Sequence, residues 1–533
     1  MGLNLTADQA AMQRQLVTFT KQHLAPLDHQ IDQTGEFPKA AYDLLIQQKV
    51  PQLGLAKPYG AGLGMQSRAL VLSIIARGSA SLAVMLEGLW KAAEQIDHYG
   101  TTEQKDKYLT PAVDHLMGFA ITEPSGGSLL GVKTMATKTA DGWLINGEKA
   151  FVTNGGQATT YVILARTDQG EFATFIIDTS MPGVTTADKQ TTMGLRGVSV
   201  AGLHLHNVKV TAENILGRPG QGLEIARRNQ AVARIMMGAI AAGIMEHALD
   251  CVKGYAEKRE VVDGTLNTIP AVQTKVANMT MQKRAAELLA LDAAQQVDAS
   301  ADFEAAAAMA KLYGGHQGFK VTNEAIQVVG GVAYTHEFPL EQLLRDVRAL
   351  DLAEGSSEWI SQDLGAIELG VMVQQDTLNQ QPVPTAKRIQ VADLHRVVKQ
   401  LHLTEDVPVN VGNVSTAKRI IALGRGALDP AVVLKAQQLA KWIGATIAVT
   451  RPLTTLEQFS VDQQIGLGGA TVNPEVIITL GISGADQFVI GMVGAKHIVA
   501  VNQDETAPIF KVAQHAFVGN VDDFLTGILA ALN

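Results

Sequence analysis

The hydrophobic period of this 533-residue chain changes three times, and that succession restricts the fold more than any single motif does. Up to residue 117 the apolar positions recur at helical spacing. Thr6-Ala7-Asp8 caps an amphipathic run reaching His23, Pro38-Lys39 opens another, residues 67–89 carry a third, and Thr101-Thr102-Glu103 starts a last one. From Gly118 the texture becomes short β-rich runs at 119–122, 143–146, 161–166, 172–178 and 201–208. Asp141-Gly142, Asn146-Gly147 and Asn154-Gly155-Gly156 punctuate them, which predicts a small antiparallel barrel or sandwich over 118–221. From Gly222 the helical period returns in segments 223–258, 271–297 and 304–329, with a final helix at 357–373. They are rich in alanine and apolar on more than one face, as in a bundle whose helices pack on several neighbours or on another subunit. Ala305 to Ala308 allows close helix approach. Residues 374–384, polar and proline-containing, open a linker that runs to 415, with a helix expected at 386–403. Beyond 416, apolar strands at 420–423, 445–449, 476–480 and 499–502 alternate with helices at 431–443 and 522–532, the pattern of a parallel α/β sheet.

Composition narrows the class. The length exceeds what one core supports, so the expected units are 1–117, 118–221, 222–373 and 416–533. Hydrophobic residues make up 47% and charged ones 18%, a balance that excludes disorder. A net charge of −9 without basic clusters argues against nucleic acid. The single cysteine, Cys251, excludes intrachain disulfides and cysteine metal sites, and no metal is expected. The N-terminus lacks a basic segment followed by an apolar run, and apolar runs such as 235–244 are too short or glycine-interrupted to span a membrane. A cytoplasmic protein without a membrane span is the expectation.

Candidate chemistry centres on residues 345–360, RDVRALDLAEGSSEWI. Glu354 lies between apolar residues and a Gly-Ser-Ser loop, and desolvation raises the pKa of a carboxylate that must take a weakly acidic C–H proton. A helix-capping or solvated carboxylate fits the same letters. Three other stretches join it. ITEPSGGS (121–128) puts hydroxyls and amides at a strand end, INGEKAFVTNGG (145–156) offers an aromatic face and a hydroxyl, and AIQVVGG (325–331) ends a helix on a double glycine. Taken singly, the second and third also read as a hairpin and a helix cap. In the last domain the loops at 424–426, 466–469 and 481–485 are glycine-rich, and only 481–485 has the strand–loop–helix context of a phosphate site.

Together, in their order and spacing, the motifs of residues 5–372 closely resemble those of the acyl-CoA dehydrogenase family. The resemblance implies a helical, β-barrel and helical-bundle fold, a homo-oligomer (dimer or tetramer), and FAD held between barrel and bundle, partly across a subunit boundary. It assigns Glu354 as the base that takes the α-proton of an acyl-CoA while FAD accepts the β-hydride, leaving a trans-2-enoyl-CoA, or the reverse reduction of an enoyl-CoA. The backbone N–H of Glu354, beside Gly355, would polarise the thioester. Phe119, Thr122, Ser128, Phe151, Thr153, Arg259, Gln327, Gly331 and Ser356 match FAD contacts, with Ser128 and Arg234 also near the CoA. Departures from the family pattern are Phe151 for a tryptophan, Val262-Asp263 for an aromatic, Ile269-Pro270, Ala231 and Leu129.

Residues 416–533 resemble the FAD-binding C-terminal domain of the electron-transfer flavoprotein α subunit, a Rossmann-like α/β fold. The match runs through LGRG (423–426), QIGLGG (464–469), NPEVIITLGISGADQ (473–487) and AVNQDETAPIF (500–510). It implies that Arg451, Ser483, Gly484, Ala485 and Asn502 contact a second FAD, giving two per chain, while Leu467-Gly468, Phe488 and Asn520 depart from the pattern. A β-like subunit of the electron-transfer flavoprotein or another redox partner is a candidate neighbour. A flavin oxidase on the same scaffold and a non-catalytic electron-transfer or docking protein are the competing readings.

Overall fold

A computed structural model of the chain describes residues 7–369, 387–403 and 414–532, apart from positions 455, 457, 467, 468, 490 and 493. The chain divides into two compact units, Met1–Met372 and Val373–Asn533. Seven α-helices open the first: α1 (Ala7–Phe19), α2 (Ala25–Thr34), α3 (Lys39–Gln47), α4 (Val50–Leu53), α5 (Met65–Ala76), α6 (Ala80–Tyr99) and α7 (Thr102–Leu109). The periodic run at 67–89 is thus two helices, parted where Gly78 abuts Thr20 with no room for a side chain. Ser79 caps α6, whose 20 residues are buried on nearly every face. Thr101 and Gln104 form a reciprocal capping box at the start of α7. The Gln104 amide also donates to Glu213 O at 2.8 Å and Ile215 O at 2.7 Å, fastening the helical layer to the β layer.

The β layer comprises β1 (Met117–Ala120), β2 (Met135–Thr139), β3 (Gly142–Thr153), β4 (Thr160–Thr167), β5 (Phe172–Asp178), β6 (Val184–Thr186), β7 (Val200–Val210) and β8 (Ile215–Leu216). Its order is β6-β7-β3-β2-β4-β5-β8, with β1 paired to β4. The expected antiparallel barrel is corrected here. β1 and β2 both run parallel to β4 and share one of its edges, so the sheet is mixed, and its end strands β6 and β8 are not paired to each other. Parallel pairing requires the chain to cross over between β1 and β4. Part of that crossover is the 121–134 loop.

The bundle that follows is α8 (Gly222–Ala256), α9 (Pro270–Asp298), α10 (Glu304–Val329), α11 (Pro339–Leu352) and α12 (Ser357–Glu368), with a two-residue ribbon of β9 (Glu260–Val261) and β10 (Gly264–Thr265) between α8 and α9. Among the described residues α8 alone is long and apolar enough to cross a membrane, and 78% of its most apolar window is buried inside the unit, as a core helix requires. A close helix approach also lies beyond the expected alanine run. A Cβ on Gly314 of α10 would meet the Gly238 Cα of α8 at 3.1 Å, so this crossing depends on the absence of side chains.

In the second unit β11 (Lys387–Arg388), β12 (Arg419–Leu423), β13 (Thr446–Val449), β14 (Val476–Leu480), β15 (His497–Asn502) and β16 (His515–Val518) form one all-parallel sheet ordered β11-β16-β15-β14-β12-β13. The expected linker and its helix at 386–403 are corrected. Lys387 pairs with His515 as an added edge strand, only Leu394–Gln400 is α-helical, and Leu394, Val397 and Val398 enter the core with Phe524, Leu525 and Ile528. The buried Arg419 guanidinium donates to Ile443 O at 2.7 Å and His402 O at 2.8 Å, stitching that segment to β12. Much of the remaining linker, 374–386 and 404–413, lies outside the described residues. Gly314→Leu is expected to overpack the α8–α10 crossing and cost roughly 1–3 kcal/mol. A urea midpoint equal to wild type, followed by far-UV circular dichroism, would contradict that packing.

Candidate active site

Two adjacent residues, Arg345 and Asp346, position α11. Arg345 grips Asp32 of α2 with both terminal nitrogens, at 2.9 and 2.6 Å, bonds Glu341 at 2.8 Å, and donates to Met193 O at 2.9 Å. Asp346, fully buried, accepts from Leu195 N–H. Burial and the nearby Asp28 push the Asp346 carboxyl up to about 8, and burial pushes Asp28, which accepts from Gln342 at 2.8 Å, up to about 6. The RD pair is therefore an anchor that aims the end of α11.

Beyond that end the backbone turns left-handed twice, at Glu354 (φ 57°) and Gly355 (φ 103°), before Ser356 caps α12 by accepting from Trp359 N at 3.3 Å. A non-glycine residue there is strained and must be held by its surroundings. Lys311, buried in α10, donates to Asp351 O at 2.8 Å, Gly355 O at 2.9 Å and Ser357 Oγ at 3.2 Å, so one ammonium bonds carbonyls on both sides of the turn. Burial pulls Lys311 down to about 8. Arg234 of α8, half-buried and lowered by desolvation, donates its Nε to Glu354 O at 3.1 Å and holds its guanidinium 6.0 Å over the Trp359 ring.

The side chain of Glu354 departs from expectation. Leu352, its supposed apolar cover, is 61% exposed. The carboxylate meets a charge instead: Oε1 accepts from Lys91 Nζ at 2.6 Å, and Lys91 lies 3.2 Å from Glu87 one turn earlier on α6. Both α6 residues are buried. Burial raises Glu87 to about 7, whereas the two carboxylates hold Lys91 above its ordinary range against its own desolvation.

The same helix receives the strand ends of the β layer. Gly88 lies against Thr153 and Asn154, and Asn154 donates to Met85 O and Met117 O, each at 3.0 Å, locking β3 to α6 and β1. Thr122 accepts through its carbonyl from Ala150 N at 2.8 Å, beside Phe151. Phe151 occupies an irregularity of β3 with φ 53° and is 64% exposed. Thr122 and Thr153 are half-buried, Ser128 is exposed, and a Cβ on Gly127 would meet only the Thr122 hydroxyl, at 3.6 Å. An outward aromatic ring, two hydroxyls and an open glycine turn suit a planar heteroaromatic ring, and these residues fit FAD. Phe119, in contrast, is buried in the strand core.

The loop that carries Thr122 is shaped by a pair absent from the sequence-based list. Glu123 accepts from Lys133 N (2.6 Å), Thr134 N (2.9 Å), the Thr134 hydroxyl (2.6 Å) and the fully buried Lys149 (2.9 Å), which also donates to Ile121 O at 3.2 Å. Burial lowers Lys149 to about 8, while Thr134 and Lys149 hold Glu123 below the usual carboxylate range. Lys91, Lys149 and Lys311 were legible only as single lysines inside apolar or glycine-rich stretches. Arg259, Gln327 and Gly331 are exposed, next to an equally exposed Val262 and Tyr334, and no hydrogen bond or ion pair of the described residues joins them to Glu354.

In the second unit the strand order reverses direction at β12, so a crevice opens outside the carboxyl ends of β12 and β14. Gly424 and Gly426 pack directly on Gly481 there. Arg425, Arg451, Ser483 and Ala485 are exposed along this edge; Arg425 is an addition to the sequence-based set. Gly484 (φ 86°) is buried against Pro508–Ile509, leaving no space for a side chain. Asn502 braces the rim by donating to Ile482 O at 2.8 Å and accepting from Asp504 N at 3.0 Å. Phe488 is a core residue and Asn520 accepts from Asp522 N at 2.9 Å, capping the last helix; Leu467-Gly468 lie outside the described residues. Guanidinium groups and small residues at a sheet's switch point fit the anionic phosphates of FAD.

Comparison with known proteins agrees with this geometry. The chain matches the acyl-CoA dehydrogenase N-terminal domain over 6–115, middle domain over 118–208 and C-terminal domain over 220–366, and the electron transfer flavoprotein FAD-binding domain over 413–493. It is 32% identical over 368 residues to a probable acyl-CoA dehydrogenase of Bacillus subtilis, covering 67% of this chain and 97% of that protein. It is 33% identical over 350 residues to a 3-(aryl)acrylate reductase of Clostridium sporogenes, covering 64% of this chain and 93% of that protein. The structure of butyryl-CoA dehydrogenase from Megasphaera elsdenii superimposes with a TM-score of 0.67 at 33% identity, covering 69% of this chain and all of that one.

Two predictions follow from the buried charges. Lys149→Met strands Glu123 and is expected to cost about 3–5 kcal/mol, measured as a lowered denaturation midpoint. Asp346 has a raised folded-state pKa, so its contribution to stability is complete below its unfolded pKa and is lost as pH rises through about 8. Asp346→Asn is therefore expected to flatten the decline in stability between pH 5 and 8; parallel stability curves for the two proteins would contradict it.

Proposed function

The chain belongs to the acyl-CoA dehydrogenase family, a flavin oxidoreductase acting on CH–CH bonds and joined to an electron transfer flavoprotein FAD-binding domain, and from that premise we propose that it interconverts an acyl-CoA and its trans-2-enoyl-CoA with Glu354 as the base. The observation that carries this reading is the strained Glu354–Gly355 turn, whose backbone carbonyls are clamped from two helices by Arg234 and Lys311. A residue held in that conformation by so many partners is preorganised, which is what proton abstraction from carbon demands. FAD supplies the two-electron acceptor for the β-hydride. Glu354 takes the α-proton, and its backbone N–H and that of Gly355 belong to the turn that would receive the thioester oxygen. Thr122, Ser128, Phe151 and Thr153 would hold the flavin ring, and Ser356 would adjoin it.

Arg259, Gln327 and Gly331 are exposed, which supports an adenosine half-site completed by a second copy of the chain. Met281, 63% exposed, and Leu288, 47% exposed, leave apolar surface on α9 for the same homo-oligomer, a dimer or tetramer. Arg451, Ser483, Gly484, Ala485 and Asn502 would hold a second FAD, making two per chain, so that an electron carrier is tethered to the dehydrogenase. The likeness to a 3-(aryl)acrylate reductase favours, as a second reading, work in the reducing direction.

Anaerobic addition of butyryl- to octanoyl-CoA is expected to bleach the flavin absorbance, and Glu354→Gln to slow this by on the order of 10³-fold. Bleaching at the wild-type rate by the Gln variant would remove Glu354 from the chemistry. Flavin released by acid should number close to two per chain; a value close to one would sink the second site.

A further inference from the structure

Glu87, Lys91 and Gln95 fall at successive i, i+4 positions of α6, so one buried stripe of this helix is polar. Lys91 has a carboxylate on either side. It donates to Glu354 Oε1 at 2.6 Å, and it reaches Glu87 Oε1 at 3.2 Å. The second contact is an ion pair by distance only. Neither Glu87 oxygen takes part in a directed hydrogen bond, although both are buried. A buried carboxylate without a hydrogen bond is costly, so the arrangement in which Glu87 gains one is favoured at its own site.

The resting arrangement is also unsuited to the reaction. A carboxylate that must accept a proton loses driving force for doing so while an ammonium is hydrogen-bonded to it. We propose that Lys91 is a positioning residue with two seats: it holds Glu354 while the site is empty and swings onto Glu87 when an acyl-CoA enters, which frees the base. This deepens the acyl-CoA reading above and rests on it. The move needs only a change of side-chain rotamer, since Glu87 and Lys91 are one helical turn apart. Lys91 keeps its proton throughout. The α-proton passes from the substrate to Glu354 and the β-hydride to FAD, so no further acid, base or reductant enters the step.

The second seat exists only when Glu87 is ionised. Burial, opposed by Lys91 and reinforced by Glu354, places that ionisation at about 7. The other charged groups near Glu354 are Arg234 of α8 and Lys311 of α10, which in turn face Glu304 of α10, Asp351 of α11, and Glu358 and Asp363 of α12. On the β side the nearest neighbours of Gly88 are the uncharged Thr153 and Asn154. Arg234 and Lys311 are cations that cannot receive an ammonium, whereas Glu87 is a carboxylate already within ion-pair distance of Lys91.

The test uses the full-length, FAD-loaded protein and whichever of butyryl- to octanoyl-CoA bleaches it fastest. The rate constant of anaerobic flavin reduction at saturating acyl-CoA is followed from pH 5.5 to 9. In wild type it should rise about tenfold through pH 7. Glu87→Gln should lose that rise and stay at the low-pH rate, Glu87→Asp should restore it, and product affinity should change less than threefold in both. In a Lys91→Met background the same Glu87→Gln change should cost less than twofold, because the ammonium it serves is gone. A Glu87→Gln profile equal to wild type, or an undiminished tenfold cost in the Lys91→Met background, overturns the two-seat assignment. Should Glu87→Gln fail to retain FAD, the Glu87→Asp and Lys91→Met profiles decide: loss of the rise in Glu87→Asp, or its persistence in Lys91→Met, overturns the assignment. Failure of every acyl-CoA to bleach wild-type flavin would instead overturn the dehydrogenase reading itself.

Discussion

Three lysines are buried among the described residues of the first unit, Lys91, Lys149 and Lys311, and the loops of the site take the shapes that satisfy them. An ammonium removed from water is tolerated only with acceptors arranged around it. Lys149 finds Glu123 and the Ile121 carbonyl, which curls the ITEPSGGS loop back onto β3. Lys311 finds the carbonyls of Asp351 and Gly355, which draws the end of α11 and the start of α12 together. Lys91 finds Glu354 and Glu87. Each lysine stands on a regular element and has at least one acceptor on an irregular one, Glu354, Glu123 or Gly355. The rigid parts of the fold thereby dictate the conformation of the parts that meet a ligand.

The glycines and the RD pair do complementary work. Gly88 lets Thr153 and Asn154 reach α6, so the strand-end hydroxyl and the Glu354 carboxylate are referenced to one helix. Arg345 and Asp346 then fix α11 against α2 and the loop at 193–195. Strain at Glu354 is sustained because both flanks of the turn are anchored; a looser loop would relax to a right-handed backbone. In the second unit a parallel sheet reaches the same end differently, by bringing the ends of β12, β13, β14 and β15 to one edge where small residues keep the rim open.

Much of the architecture was legible because hydrophobic period reports which face of an element is buried. The shift from a period of 3.6 to 2 at Gly118 and back at Gly222 matched real changes of layer, and the strand–helix alternation after Lys418 matched a parallel sheet. The errors have a common source. Parallel pairing of β1 and β2 with β4 leaves no local mark, since a strand alternates alike in either direction. The segment 387–403 was mistaken for linker because its two-residue strand and short helix are too brief for a period to show. The apolar letters before Glu354 predict an apolar cover, yet Leu352 at the end of α11 is exposed.

The sequence alone determined the order of helical, β, helical and α/β segments, the glycine-rich turns and the carboxylate at 354, because period and turn chemistry are local properties. Tertiary structure decided the environment of that carboxylate. Lys91 lies 263 residues from Glu354, and Lys311 lies 44 residues from Gly355. No local pattern relates residues so far apart. Only the packing of α6, α8 and α10 around the turn makes Glu354 an ion-paired group on a strained backbone rather than a solvated cap.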